Sequence, residues 1–225
     1  MNPTLTRATL FRLGGAALVI GGSLGPMGHL LLHPPSHDVI YQQWPSWVAA
    51  HTVLTISWVL LLLGVCALYA KLCERMGVAG LIGFSLITVM CLYQVFGYGF
   101  DAFTVPLLRA TFHGETATGP DGVLPLPNGL FPLPLTFYVG ILLFGITVYR
   151  SQREARWPAL AFILSMLAVF GGGMIAHSPL HYEHAIPIGF SINSLAFAWL
   201  GVFLIRQAAP TPAPVAAHDV TAIAL

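Results

Sequence analysis

Apolar residues run along this chain in long blocks, and six blocks, at 13–32, 47–70, 78–99, 130–149, 157–176 and 186–205, are separated by polar or proline-rich breaks. A helix rising 1.5 Å per residue needs roughly 20 apolar residues to cross the hydrocarbon of a bilayer, and each block meets that length. The pattern therefore predicts an all-α fold, a polytopic membrane helix bundle with six transmembrane helices. The links between the second and third blocks and between the fourth and fifth are short, which makes those neighbours antiparallel.

Residues 1–207 form the expected six-helix transmembrane domain, and 208–225, with Pro210, Pro212 and Pro214, read as a disordered tail. One outward segment is long. Between 100 and 129 it carries Asp101, Arg109, His113, Glu115, Asp121 and a Gly/Pro-rich stretch, the composition of either a lid or a linker. Trp44, Trp47 and Trp157, close to block ends, are expected to be interfacial anchors.

Composition agrees with the blocks: 225 residues that are 56% hydrophobic and 8% charged cannot wrap one core in a water-compatible surface. Charge then orients the bundle. Eight of the nine Lys and Arg residues (Arg7, Arg12, Lys71, Arg75, Arg150, Arg153, Arg156 and Arg206) fall on one side of the proposed membrane. Positive residues near helix ends stay cytoplasmic, so both termini are expected inside, in the cytoplasmic (inner) membrane of a bacterium. The formal net charge of +1 supplies no electrostatic reason to expect a nucleic-acid partner. A retinal pigment is excluded, since its Schiff base needs a lysine within a span and the only lysine is Lys71. Transport is disfavoured because the spans lack acids and bases at the midplane.

Histidine shows the opposite bias, with eight of nine on the outward side. The first and fifth blocks end alike, in Gly25, His29 and His33 and in Gly173, His177 and His181. Four-residue spacing puts such residues on one helical face. The second block adds His51 near its outer end with Thr55 one turn deeper. His29, His51 and His177 are thus expected at one depth, each above a small residue, around a pocket with room beneath. Asp101 and Glu183 are the acids within reach.

Ionisable groups at membrane depth are costly and usually face partners in the bundle. Neutral imidazole binds zinc, copper and iron, so His29, His33, His51, His177 and His181 are candidate ligands for a metal ion. Asp101 and Glu183 are candidate catalytic groups for hydrolytic or oxidative chemistry on a lipophilic substrate. The HxxxH strings lack the glutamate that a zinc protease uses as its base. A second expectation is a b-type haem held by two of His29, His51 and His177, which would make the protein an electron carrier. A third is a non-catalytic accessory subunit that packs its small-residue faces against a larger membrane complex.

Several short patterns carry a resemblance. The His33-Pro34-Pro35 turn, Trp47 four residues before His51, Leu68-Tyr69-Ala70-Lys71, and Asp101-Ala102-Phe103 before Val105-Pro106 together resemble a scattered group of uncharacterised small bacterial membrane proteins. The resemblance covers the first three blocks; it implies six helices and no particular activity. An early His, a later acid and a terminal HxxxH are also similar to membrane zinc hydrolases of the alkaline ceramidase type. Those have seven spans and serine motifs missing here, so the likeness extends to the chemistry and to no residue.

Overall fold

The computed structural model describes residues 6–33, 44–107, 132–176 and 182–208, and all regular structure among them is helical. Helix α1 spans Arg7–Pro26 and continues as a π-helical turn, Met27–Leu32. Helix α2 spans Trp44–Gly99 and also continues as a π turn, Phe100–Thr104. Helices α3 (Pro132–Ser151), α4 (Arg156–Ala176) and α5 (Tyr182–Gln207) follow, with a 3₁₀ turn at Arg153–Ala155 between α3 and α4.

Local chemistry explains the ends. Thr6 caps α1, its hydroxyl accepting from the Thr9 amide at 3.1 Å. Each π turn adjoins a proline, Pro26 before the first and Pro106 after the second. Proline has no N–H and its ring crowds the preceding turn, so the α register is interrupted in the turn before Pro106.

Helix α2 corrects the expectation of a loop between the second and third blocks. Residues 71–76 remain helical, and the single non-helical residue is Gly77, at φ 61° and ψ −164°, a conformation that costs a side chain but suits glycine. The chain folds back there. Tyr69 stacks on Phe84 at 4.2 Å between ring centres, and His51 lies 5.7 Å from Tyr98, so the two limbs, 44–76 and 78–99, run antiparallel.

The helices close into a ring, and the seams between successive helices are close glycine contacts, while the two limbs of α2 meet through aromatic rings. A Cβ built at Gly21 would reach the Ser57 carbonyl of α2, and one at Gly83 would strike Phe144 of α3. Gly145 faces Ile163 of α4, Gly189 faces Val169 across the α4–α5 seam, and Gly201 of α5 faces the Gly15 carbonyl of α1. Small residues let backbones approach closely, which matters in lipid, where apolar side chains gain nothing by leaving their surroundings. Polar ties supplement the seams: Ser57 donates to the Gly21 carbonyl at 2.7 Å, and Asn193 Nδ2 donates to Ser165 Oγ at 2.8 Å.

Aromatic rings fill the middle of the ring of helices. Trp58, Phe137, Phe144, Phe162 and Phe197 are each at most 2% exposed and meet edge-to-face with centres 4.6 to 6.5 Å apart. The outer surface is apolar instead of polar, with Leu13, Leu63, Phe96 and Leu167 all more than half exposed. Three of the described helical stretches, Arg7–Leu32, Pro45–Leu107 and Pro187–Gln207, are long and apolar enough to cross a membrane. The described residues thus form an all-helical unit whose apolar exterior and long helices are compatible with a membrane.

The seams generate a matched test. A Cβ at Gly201 would stand 2.6 Å from the Gly15 carbonyl oxygen and 2.9 Å from the Val19 amide, whereas one at Gly97 meets nothing within 4 Å. Gly201→Ala should destabilise the protein by about 1–3 kcal/mol, the usual cost of overpacking. Gly97→Ala should be neutral or stabilising by up to about 1 kcal/mol. Denaturant titration of the helical circular dichroism in detergent measures both.

Candidate functional site

Antiparallel pairing sorts the polar residues to the two ends of the bundle. Arg7 and Arg12, the bend at Gly77, the α3–α4 turn and Arg206 share one end, where the Lys71 ammonium sits 5.1 Å from the Phe11 ring centre. The other end gathers His29, His33, His51, Tyr98 and Asp101. Both π turns lie there, one carrying His29 and the other Asp101. Such turns recur at functional sites because they re-aim a side chain without ending the helix.

The clearest geometry belongs to His51, which is 3% exposed. Its Nδ1 lies 2.8 Å from the carbonyl oxygen of Trp47, one turn earlier on α2. A carbonyl can only accept, so Nδ1 carries the proton and donates. In the neutral ring this leaves the lone pair on Nε2, and Nε2 is 3.6 Å from Asp101 Oδ2. A lone pair facing a carboxylate oxygen is repulsive, whereas a proton or a cation between the two atoms would be attracted to both. The distance exceeds that of a direct hydrogen bond.

Rings surround this pair. His33 lies 5.3 Å from His51 and 5.1 Å from Trp47, and Trp47 packs on His51 at 3.9 Å. Tyr98 packs against both His29 at 5.9 Å and His51 at 5.7 Å, while Phe190 of α5 stacks on His29 at 5.5 Å. Phe190 also stacks on Phe137 at 6.3 Å, which joins the site to the aromatic middle below it.

The expected placements fare unevenly. His29, His33, His51 and Asp101 come to one end and are near one another. His177 and His181 lie outside the described residues, and of Glu183 only the helical backbone is described. The space expected beneath the imidazoles is filled where it is described: a Cβ at Gly25 would strike the Ser194 side chain of α5, and Thr55 turns its hydroxyl back to the His51 carbonyl at 2.7 Å. Among the described residues no three of His, Cys, Asp and Glu converge closely enough to hold a metal ion as they stand.

Trp47 corrects another expectation. It is 5% exposed, so it is a buried wall of the site and not an interfacial anchor, whereas Trp157 at 70% does face outward. Tyr98 and Phe190 were not singled out from the sequence. The i, i+3 spacing of Tyr98 and Asp101 and the i, i+4 spacing of Trp47 and His51 were available signals for the side chains that touch His51.

The tautomer is directly testable. In protein labelled with ¹⁵N-histidine, the resonances lost in His51→Gln should report a protonated Nδ1, and an unprotonated Nδ1 would remove the Trp47 carbonyl as its partner. No known protein family matches the chain, and no curated protein or solved structure is significantly similar to it.

Proposed function

We propose that the chain is a six-span protein of the bacterial inner membrane with both termini cytoplasmic, the two limbs of α2 counting as separate spans. In this reading its outward end carries a metal site seeded by His51 and Asp101, for zinc, copper or iron. The clustering of Arg7, Arg12, Lys71, Arg75, Arg150, Arg153, Arg156 and Arg206 at the opposite end supports the orientation.

One observation carries the metal reading: His51 gives its Nδ1–H to a backbone carbonyl and turns Nε2 toward a carboxylate. That is the arrangement by which a carbonyl fixes the tautomer of a metal-binding histidine. The distances support it. Ligand bonds near 2.1 Å in tetrahedral array place a nitrogen and an oxygen donor roughly 3.4 Å apart and two imidazole centres roughly 5 Å apart. The Nε2–Oδ2 separation is 3.6 Å and the His33–His51 ring separation is 5.3 Å. His33 completes a three-ligand site by rotating its ring, and His29 is the reserve donor behind Tyr98. With an open fourth position, an ion there would activate water or oxygen against a lipophilic substrate entering from the bilayer.

A b-type haem is the lesser reading, because Tyr98 stands within 6 Å of both His29 and His51 and takes up the space a porphyrin would need. The accessory-subunit reading draws on a different fact: no three ligands converge among the described residues. There the His51–Asp101 pair shares a proton and ties the limbs of α2.

Metal analysis of protein purified from metal-replete cells, with visible spectra of the same sample, separates these readings. The metal reading expects near-stoichiometric ion in wild type and at least a tenfold loss of affinity in His51→Ala and in Asp101→Ala. His218→Ala should retain the ion. No metal in wild type, or equal retention in all variants, selects the accessory subunit, and a Soret band selects haem.

A further inference from the structure

A groove at the basic end is lined by Tyr149, Arg153, Arg156, Trp157 and Leu160, with a volume of about 300 Å³. It lies where α3 ends and α4 begins. The Arg156 guanidinium carbon sits 5.5 Å from the Tyr149 ring centre, which holds one cation against the groove wall while leaving its other donors outward. No acid lines this groove. A neighbouring recess of about 170 Å³ is lined by Glu154, Pro158, Trp199, Val202, Phe203, Arg206 and Gln207, so its single arginine is matched by a glutamate. The 3₁₀ turn thus turns Glu154 to one recess and Arg153 to the other, and leaves two uncompensated positive charges in the first.

Below the charges the surface becomes apolar. Trp157, Leu160, Leu164 and Leu167 follow one another at helical spacing down α4, and Trp157, Leu164 and Leu167 are 70%, 51% and 58% exposed. Paired arginines, an aromatic pair at the level where Trp and Tyr border the headgroups, and an apolar stripe leading into the hydrocarbon match one kind of molecule.

We infer that this groove binds the headgroup phosphate of an anionic phospholipid, with an acyl chain along the α4 stripe. Arg153 and Arg156 neutralise the phosphate, Trp157 covers the glycerol region, and Leu160, Leu164 and Leu167 carry the chain. A free phosphate would use the arginines but gain nothing from the stripe, so the lipid is the occupant. The inference rests on the chain lying in a bilayer and is independent of the histidine end.

The test uses the full-length protein in nanodiscs of phosphatidylcholine containing a minority of phosphatidylglycerol, with retained lipids counted by native mass spectrometry. Wild type should retain phosphatidylglycerol in excess of its share of the bilayer. Arg153→Gln with Arg156→Gln should lower that preference about tenfold or more, since each arginine near an anionic lipid surface is worth about a fivefold change in binding. Arg206→Gln should keep the preference, and inorganic phosphate should not compete. Phosphatidylglycerol should also raise the unfolding temperature of wild type and not of the double variant. The inference is overturned by absence of preference in wild type, by equal loss in Arg206→Gln, or by displacement with inorganic phosphate. Metal content should be the same in all these variants, so failure here and failure of the metal site are separate results.

Discussion

Close approach of helix backbones at glycine is the constraint on which the rest of this structure depends. In a bilayer, packing leucine against leucine exchanges one apolar contact for another, so association must come from contacts that lipid cannot imitate. The seams at Gly21, Gly83, Gly145, Gly189 and Gly201 provide them, each placing a Cα where any side chain would meet a neighbour's atoms. These five seams also fix the order of the ring: the first limb of α2, then α1, α5, α4, α3 and the second limb. The fold-back at Gly77 is what closes that ring.

Closure decides where chemistry can sit. The aromatic cluster from Trp58 to Phe197 fills the middle, so the polar ends are separated by a dry layer. Among the described residues the charged side chains and histidines therefore lie at the ends, and each end has a distinct character. One is a set of arginines beside aromatic rings; the other is a set of imidazoles around a carboxylate. Phe190 couples the latter to the core, since it stacks on His29 above and on Phe137 below.

Much of this was legible from the order of residues, for reasons that are local. Block length predicts helices, and the observed α1, α3, α4 and α5 begin or end within a few residues of the blocks because the breaks contain prolines or charges. Helical spacing and alternating direction were enough to bring His29, His51 and Asp101 to one end. What escaped was non-local or subtle. A single glycine suffices to reverse α2 because its positive φ does the work of a loop, and nothing in the composition of 71–76 distinguishes a turn from a helix. At Gly25 the space expected under His29 is taken by Ser194, from a helix far along the chain. The burial of Trp47 depends on His33 and His51 closing over it, which no single segment reveals. The second HxxxH string lies outside the described residues, as do the long outward segment after Leu107 and the tail after Ala208.

His51 and Asp101, brought together by the reversal at Gly77, should act as one unit. A double-mutant cycle on unfolding free energy measures this directly, using His51→Ala, Asp101→Ala and the double variant in one detergent. Partners that share a proton or cation should be non-additive by about 0.5–3 kcal/mol, the range found for residues in contact. Strict additivity would mean that the two side chains do not sense each other, and the site at this end of the bundle would lose its core.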